Sequence, residues 1–224
     1  KGPNYTTIEA SNNAVLTYHY DPKGNVRPWD RTLYIKVVRG FLREGDKITI
    51  TFGDRSGGSP GMRLQTFCED SYEFHTLIDP IATYCYQPMP VQPVIKIIPG
   101  EPARYLAVAP TIRAIDESFS VKFKGEDKWG NPSDQCDIQL YPRASHPVQN
   151  LPDVISLKPG EFFGVIDGLS VTDAADLHID FLDDADAVLC RTNPIRIEPA
   201  PISRHFWGDL HGQSEETIGT GSAE

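Results

Sequence analysis

Asp209, His211 and Gln213 stand at i, i+2 and i+4 behind the aromatic pair Phe206-Trp207. If 206–211 is a strand, its period of two turns all three side chains to one face, and at the strand end they converge on a point. Carboxylate, imidazole and amide oxygen together suit divalent metals of borderline character, Zn, Mn or Fe. A carboxylate beside a ligating histidine also fixes its tautomer and raises its basicity. An Asp-x-His pair by itself is more often a surface or capping pair, so the pattern acquires meaning only from the residues around it.

Other residues with chemical capacity read more plainly. The glycine-rich segment 53–61 lacks the Gly-Lys-Ser/Thr ending of a phosphate loop and reads as a surface connection, with Asp54 and Arg55 as solvated turn charges. No Gly-x-Ser-x-Gly elbow is present to anchor a serine hydrolase triad. Asp180, Asp183, Asp184 and Asp186 invite a calcium reading, but the loop has neither the Asp-x-Asp-x-Asp-Gly run nor the closing Glu of an EF-hand, and a hairpin tip explains it better. Trp29 and Trp129 sit beside Pro or Gly turns, where a tryptophan clamps a loop on the core; the alternative is a platform on which a sugar stacks. His19, His75, His146 and His178 share no spacing that suggests a common metal. Cys68, Cys85, Cys136 and Cys190 are widely spaced without a Cys-x-x-Cys pair, and they read as reduced, half-buried thiols of a cytoplasmic protein.

The elements that must position these residues are strands. Ile (19) and Val (13) together outnumber Leu (14) by more than two to one, and 18 Gly and 19 Pro punctuate the 224 residues. β-Branched residues fit a pleated surface and Gly and Pro make turns, so the balance argues against a helical bundle. Alternation places Ile48, Ile50 and Phe52 inward on 47–52, and Phe119, Val121 and Phe123 inward on 118–124. Further strands are expected at 14–20, 33–38, 62–67, 74–77, 94–98, 104–109, 137–140, 177–180 and 187–191. Pro88, Pro90 and Pro93 fall within seven residues and suit a linker or an edge. The expected organisation is all-β, with two immunoglobulin-like β-sandwich domains: one over 1–92, its front end trimmed or processed because the chain starts at Lys1, and one over 93–200. Residues 201–224 are too few to make a core of their own, and either pack on the sandwich or begin a third domain.

A wider string surrounds the candidate ligands. Trp207-Gly-Asp-Leu-His-Gly-Gln-Ser-Glu-Glu-Thr-Ile-Gly219 resembles the opening motif of the polymerase-and-histidinol-phosphatase (PHP) superfamily, and more narrowly the family catalogued as domain of unknown function 3604. Residues 18–29 and 52–61 resemble the sandwich region that precedes the barrel in that family, and 126–132, Glu-Asp-Lys-Trp-Gly-Asn-Pro, is similar to a turn of many immunoglobulin-like domains. The resemblance implies that 201–224 opens a (β/α) barrel whose first strand carries metal ligands at its C-terminal end. His211 takes the position of the first ligand. Gln213 stands where a second histidine is expected, a departure that weakens the metal set because an amide oxygen is a poorer ligand than imidazole. Asp209 takes the position of the preceding acid, in a supporting role.

Functional expectations follow. The leading one is an accessory sandwich segment of a PHP-like metal-dependent hydrolase of phosphoesterase type, inactive as this fragment and with a divalent metal bound only in the complete protein. The second is an immunoglobulin-like binding or adhesion module without catalysis. Substrates would be small phosphorylated molecules or esters. With 31 acids against 21 bases the net charge is −10, and no Lys/Arg cluster offers a footprint for a phosphate backbone, so nucleic acid is excluded as a partner. No run approaches the roughly 18 apolar residues of a membrane helix. An oligomer is left open.

Overall fold

Short strands joined by glycine and proline turns carry nearly all the regular structure, as the Ile- and Val-rich composition requires. The computed structural model describes residues 1–25, 30–201, 203, 206 and 208, and among them there is no helix. The chain divides into two units, Lys1–Ile98 and Pro99–Glu224.

The first unit is a set of two-stranded antiparallel ribbons. β1 (Thr6–Ala10) pairs with β4 (Ile48–Phe52) and β2 (Val15–Asp21) with β3 (Thr32–Arg39); β5 (Glu69–Glu73) pairs with β8 (Val94–Ile97) and β6 (Leu77–Ile78) with β7 (Gln87–Pro88). The β5–β8 pairing assigns residues 94–97 to this unit. The expected alternation on β4 needs correction: Ile50 is 38 % and Phe52 41 % exposed, because among the described residues β4 has β1 as its only ladder partner. A two-stranded ribbon cannot bury a face by itself. Residues 62–67, expected as a strand, form none. There the Arg63 N–H donates to the Asn4 side chain, and the Gln65 amide donates to Phe67 O and Glu69, so local polar groups take the place of a ladder. In 74–77 only Leu77 lies in a strand, β6.

The second unit is an immunoglobulin-like β-sandwich. One layer is ordered β9 (Arg104–Val108), β11 (Phe119–Glu126), β14 (Gly164–Leu169), with β11 central. The other contains β13 (Ile155–Leu157), β12 (Ile138–Ala144), β16 (Ile179–Leu182) and β17 (Val188–Arg191) in that order, and a continuing set of β10 (Ile112–Ala114), β18 (Ile195–Glu198) and β15 (Ala175–Leu177). All pairings are antiparallel except β10–β18. Thus the first segment of the unit pairs antiparallel with β11 and then runs parallel to the last strand, crossing from one layer to the other.

Alternation on β11 is as the sequence expects. Phe119, Val121 and Phe123 are buried and join Ala107, Ile166 and Leu169 from their own layer and Leu140, Leu157, Ile179, Phe181 and Ile195 from the other in one core. Phe123 and Phe181 stack across the sandwich at 5.7 Å between ring centroids. Gly164 is needed opposite Phe123, since a Cβ there would enter the Phe123 ring. Cys136 is buried, Cys85 exposed, and Cys68 and Cys190 lie between.

Candidate functional site

The residues expected to hold a metal, Asp209, His211 and Gln213, lie outside the described residues, as do Trp207 and Trp29. Among the described residues no group of three or more His, Cys, Asp or Glu is placed to hold a metal ion. What the structure organises most tightly is the loop after β11, at one end of the second unit.

Two adjacent acids build that loop. Glu126, the last residue of β11, is buried and takes two cations at once: Arg104 Nη2 at 2.6 Å and Nε at 2.8 Å on Oε2, and Lys124 Nζ at 2.9 Å on Oε1. Burial works to raise its pKa, but the bonds from Lys124 and Arg104 outweigh it and hold the carboxyl below its ordinary range. Asp127 is 2 % exposed and accepts four N–H groups: Trp129 N (2.9 Å) and Asn131 N (3.0 Å) on Oδ1, Gly100 N (3.1 Å) and Asn131 Nδ2 (2.8 Å) on Oδ2. Desolvation opposes ionisation here too, yet the Asn131 amide and the backbone N–H groups of Gly100, Asn131 and Trp129 bring the pKa down to about 2.

The sequence Asp-Lys-Trp-Gly-Asn-Pro is explained by these bonds. An Asp side chain reaches N–H groups two and four residues on, as Asn and Asp do in turns. Gly130 takes φ 92°, a left-handed backbone that L side chains avoid. Asp127 N donates to Asn131 O, and Pro132 then forms a bridge with Glu126 that returns the chain to the sheet. Ser133 Oγ donates to Gly100 O at 2.7 Å, and Gly160 N to Asp134 O at 2.7 Å, so neighbouring turns are tied to the same loop.

Chemically, Asp127 is saturated and ionised; it offers no proton to transfer and serves as a staple. The group left facing solvent is the Trp129 side chain. The expectation that Trp129 clamps its loop on the core is corrected: it is 55 % exposed, with Lys128 Nζ 4.1 Å from the ring centroid. Asp127 already fixes the loop through its backbone, which frees the indole from that task.

The remaining candidates are structural. Asp183 Oδ1 accepts the N–H groups of Ala185 (2.9 Å) and Ala187 (2.8 Å), Asp186 pairs with Arg143 at 2.9 Å, and Asp180 takes Arg191 in a fork at 2.6 and 3.0 Å. The bonds from Arg191 lower the Asp180 pKa against partial burial. This is the β16–β17 hairpin tip expected from the sequence. Segment 53–61 is more than a surface connection, since Gly53, Ser59 and Gly61 are buried. Gly53 has φ 69° and no room for a Cβ against Met62 N; Ser59 Oγ donates to Gly2 O at 2.9 Å; and Asp54 accepts Thr7 Oγ1 at 2.7 Å. The histidines are dispersed: His19 stacks on Tyr34, His75 meets Glu73 at 3.2 Å and His178 meets Asp180 at 3.8 Å. His146 Nε2 is buried with no hydrogen-bond partner among the described residues.

No protein-family model matches the chain, and no curated protein matches it. Among solved structures it is similar to the D0-D1 domain of intimin, at a TM-score of 0.32 and 8 % identity over 86 % of this chain and 80 % of that one. A likeness at that level carries no argument, and the all-β architecture rests on the strands and core described above.

Proposed function

We propose that this chain is a non-catalytic β-sandwich segment that precedes a PHP-like metal-dependent hydrolase domain. The observation that carries the reading is the string from Trp207 to Gly219 with Asp209, His211 and Gln213 at its centre. In the complete protein His211 would be the first ligand of the metal, Gln213 a weaker neighbour and Asp209 the acid that orients the imidazole. A divalent metal so held would supply the activated nucleophile for phosphoester or ester hydrolysis. One such strand offers at most two ligands, while catalytic sites of this type keep three or more protein ligands. The two units act as scaffold. The test is phosphoesterase turnover with added Zn, Mn or Fe, for the 224-residue chain and for the complete gene product. The reading expects none from the former and turnover from the latter that His211→Ala abolishes. Turnover by the 224 residues alone would overturn it.

The exposure of Trp129 favours a second reading, an immunoglobulin-like binding module that stacks a saccharide on the indole. Glycan binding that is lost in Trp129→Ala, in a protein with its fold intact, supports this reading; undiminished binding in that variant removes it.

A further inference from the structure

We infer that the loop after β11, together with the outward side of that strand, binds an acidic saccharide: a sugar whose ring stacks on Trp129 and whose carboxylate is received by Arg104 and Lys128. The inference rests on the reading of Trp129 as a saccharide platform and adds the charge of what lies on it.

The β9–β11 register assembles cations that are scattered in the sequence. Val121 and Phe123 are buried, so the alternate residues Lys122, Lys124 and Glu126 face outward, about 7 Å apart along the strand. Arg104 stands opposite Glu126 in the ladder. Two residues beyond Glu126 comes Lys128, whose Nζ lies 4.1 Å from the Trp129 ring centroid. The two acids of this stretch are withdrawn from the surface. The Glu126 side chain is 6 % exposed and holds Arg104 and Lys124, while Asp127 is buried among its four N–H donors. Lys122 is exposed and forms no ion pair among the described residues. In a chain of net charge −10, what this stretch offers to solvent is therefore cationic.

Arg104 is placed to take a carboxylate. Its side chain is 62 % exposed, and Glu126 engages only Nε and Nη2. Nη1 forms no hydrogen bond among the described residues, so the outer edge of the guanidinium is left to donate to a second carboxylate, the planar geometry for which arginine is suited. Gly130 keeps the approach clear, since a Cβ there would come within 3.4 Å of Arg104 Nη2. The indole beside it supplies an apolar face for a sugar ring, and a ring laid there brings its carboxylate towards Lys128. Asp127 holds Trp129 N and Asn131 N, so the platform is ordered before a ligand arrives and loses little entropy on binding. Charge selects the class. A cationic sugar is repelled by Arg104 and Lys128, and a neutral one leaves their charge unanswered.

The experiment is calorimetric titration of the 224-residue chain with oligosaccharides of galacturonate, glucuronate and sialate, each beside its uncharged methyl ester, at about 0.05 M and about 0.5 M NaCl. At least one acidic sugar is expected to bind about tenfold more tightly than its ester, the effect of one hydrogen bond to a charged group, and to weaken several-fold at the higher salt. Trp129→Ala is expected to abolish binding, and Lys128→Gln to reduce the preference for acid over ester. Neither side chain bonds to Glu126 or Asp127, so both variants are expected to keep the thermal transition of the wild type. Equal binding of acid and ester that is lost in Trp129→Ala overturns the inference and leaves the platform standing. Binding of no sugar in either form, or binding that survives Trp129→Ala, overturns both.

Discussion

Replacing Asp127 by Ala removes one buried carboxylate and leaves Gly100 N, Trp129 N, Asn131 N and Asn131 Nδ2 without their acceptor. A hydrogen bond to a charged group contributes about 1.5–3 kcal/mol. The four do not add, because a loop at the end of a sandwich can open enough for water to reach some of the N–H groups. A loss of about 3 kcal/mol is the reasoned magnitude, comparable to breaking a buried polar network. For a unit of this size it corresponds to a fall of about 12–24 °C in the midpoint of its thermal transition. The assay is calorimetry together with urea unfolding at constant m, and the effect is confined to the second unit's transition. Asp127→Asn keeps one acceptor oxygen and is expected to lose about half as much. The pH dependence carries a definite sign. The native pKa of about 2 lies below the ordinary 3.8, so the stability from Asp127 is complete above pH 3.8 and is lost as pH falls through about 2. Wild type therefore weakens across that window by an amount absent from Asp127→Asn. A loss below about 0.5 kcal/mol in Asp127→Ala, the level of an ordinary surface substitution, would refute the staple.

Two further outcomes follow from packing and burial. Gly164→Ala sets a methyl group into the Phe123 ring, which is itself stacked on Phe181, and is expected to cost about 1–3 kcal/mol by overpacking; a neutral result in urea unfolding would contradict the observed packing. Thiol titration with a chromogenic disulfide at pH 8 should show Cys85, which is exposed, reacting quickly. Cys136 is buried, and burial, with Asp180 nearby, pushes the Cys190 pKa up to about 11, so both should stay slow until the chain is denatured; fast labelling of either in the native state would contradict this.

The parts of the fold that the sequence discloses are those with a core on one side. β11 alternates because its inward face meets a second layer, and its pattern of Phe119, Val121 and Phe123 is visible without any structure. β4 shows the same alternation, yet its apolar face is half exposed, since a period of two reports a strand and not what covers it. Strands such as β1, β13 and β18 are short and owe their place to partners distant in sequence, so no local signal announces them. At the loop after β11, Asp-x-x-Gly-Asn-Pro contains the whole turn: an acid that reaches forward, a glycine for positive φ and a proline that ends the loop. The cation pair on Glu126 was not legible, because Arg104 becomes its neighbour only through the β9–β11 register. The exposure of Trp129 is hidden from the sequence for a related reason, since the clamp lies in the acid two residues before it.

The central claim is that the residues after 200 open a metal-dependent hydrolase to which both units serve as scaffold. Metal analysis of the complete gene product beside its His211→Ala variant tests it most directly. The account predicts stoichiometric Zn, Mn or Fe in the purified wild type and its loss in the variant. A metal-free wild type, or a variant that retains its full complement, contradicts it.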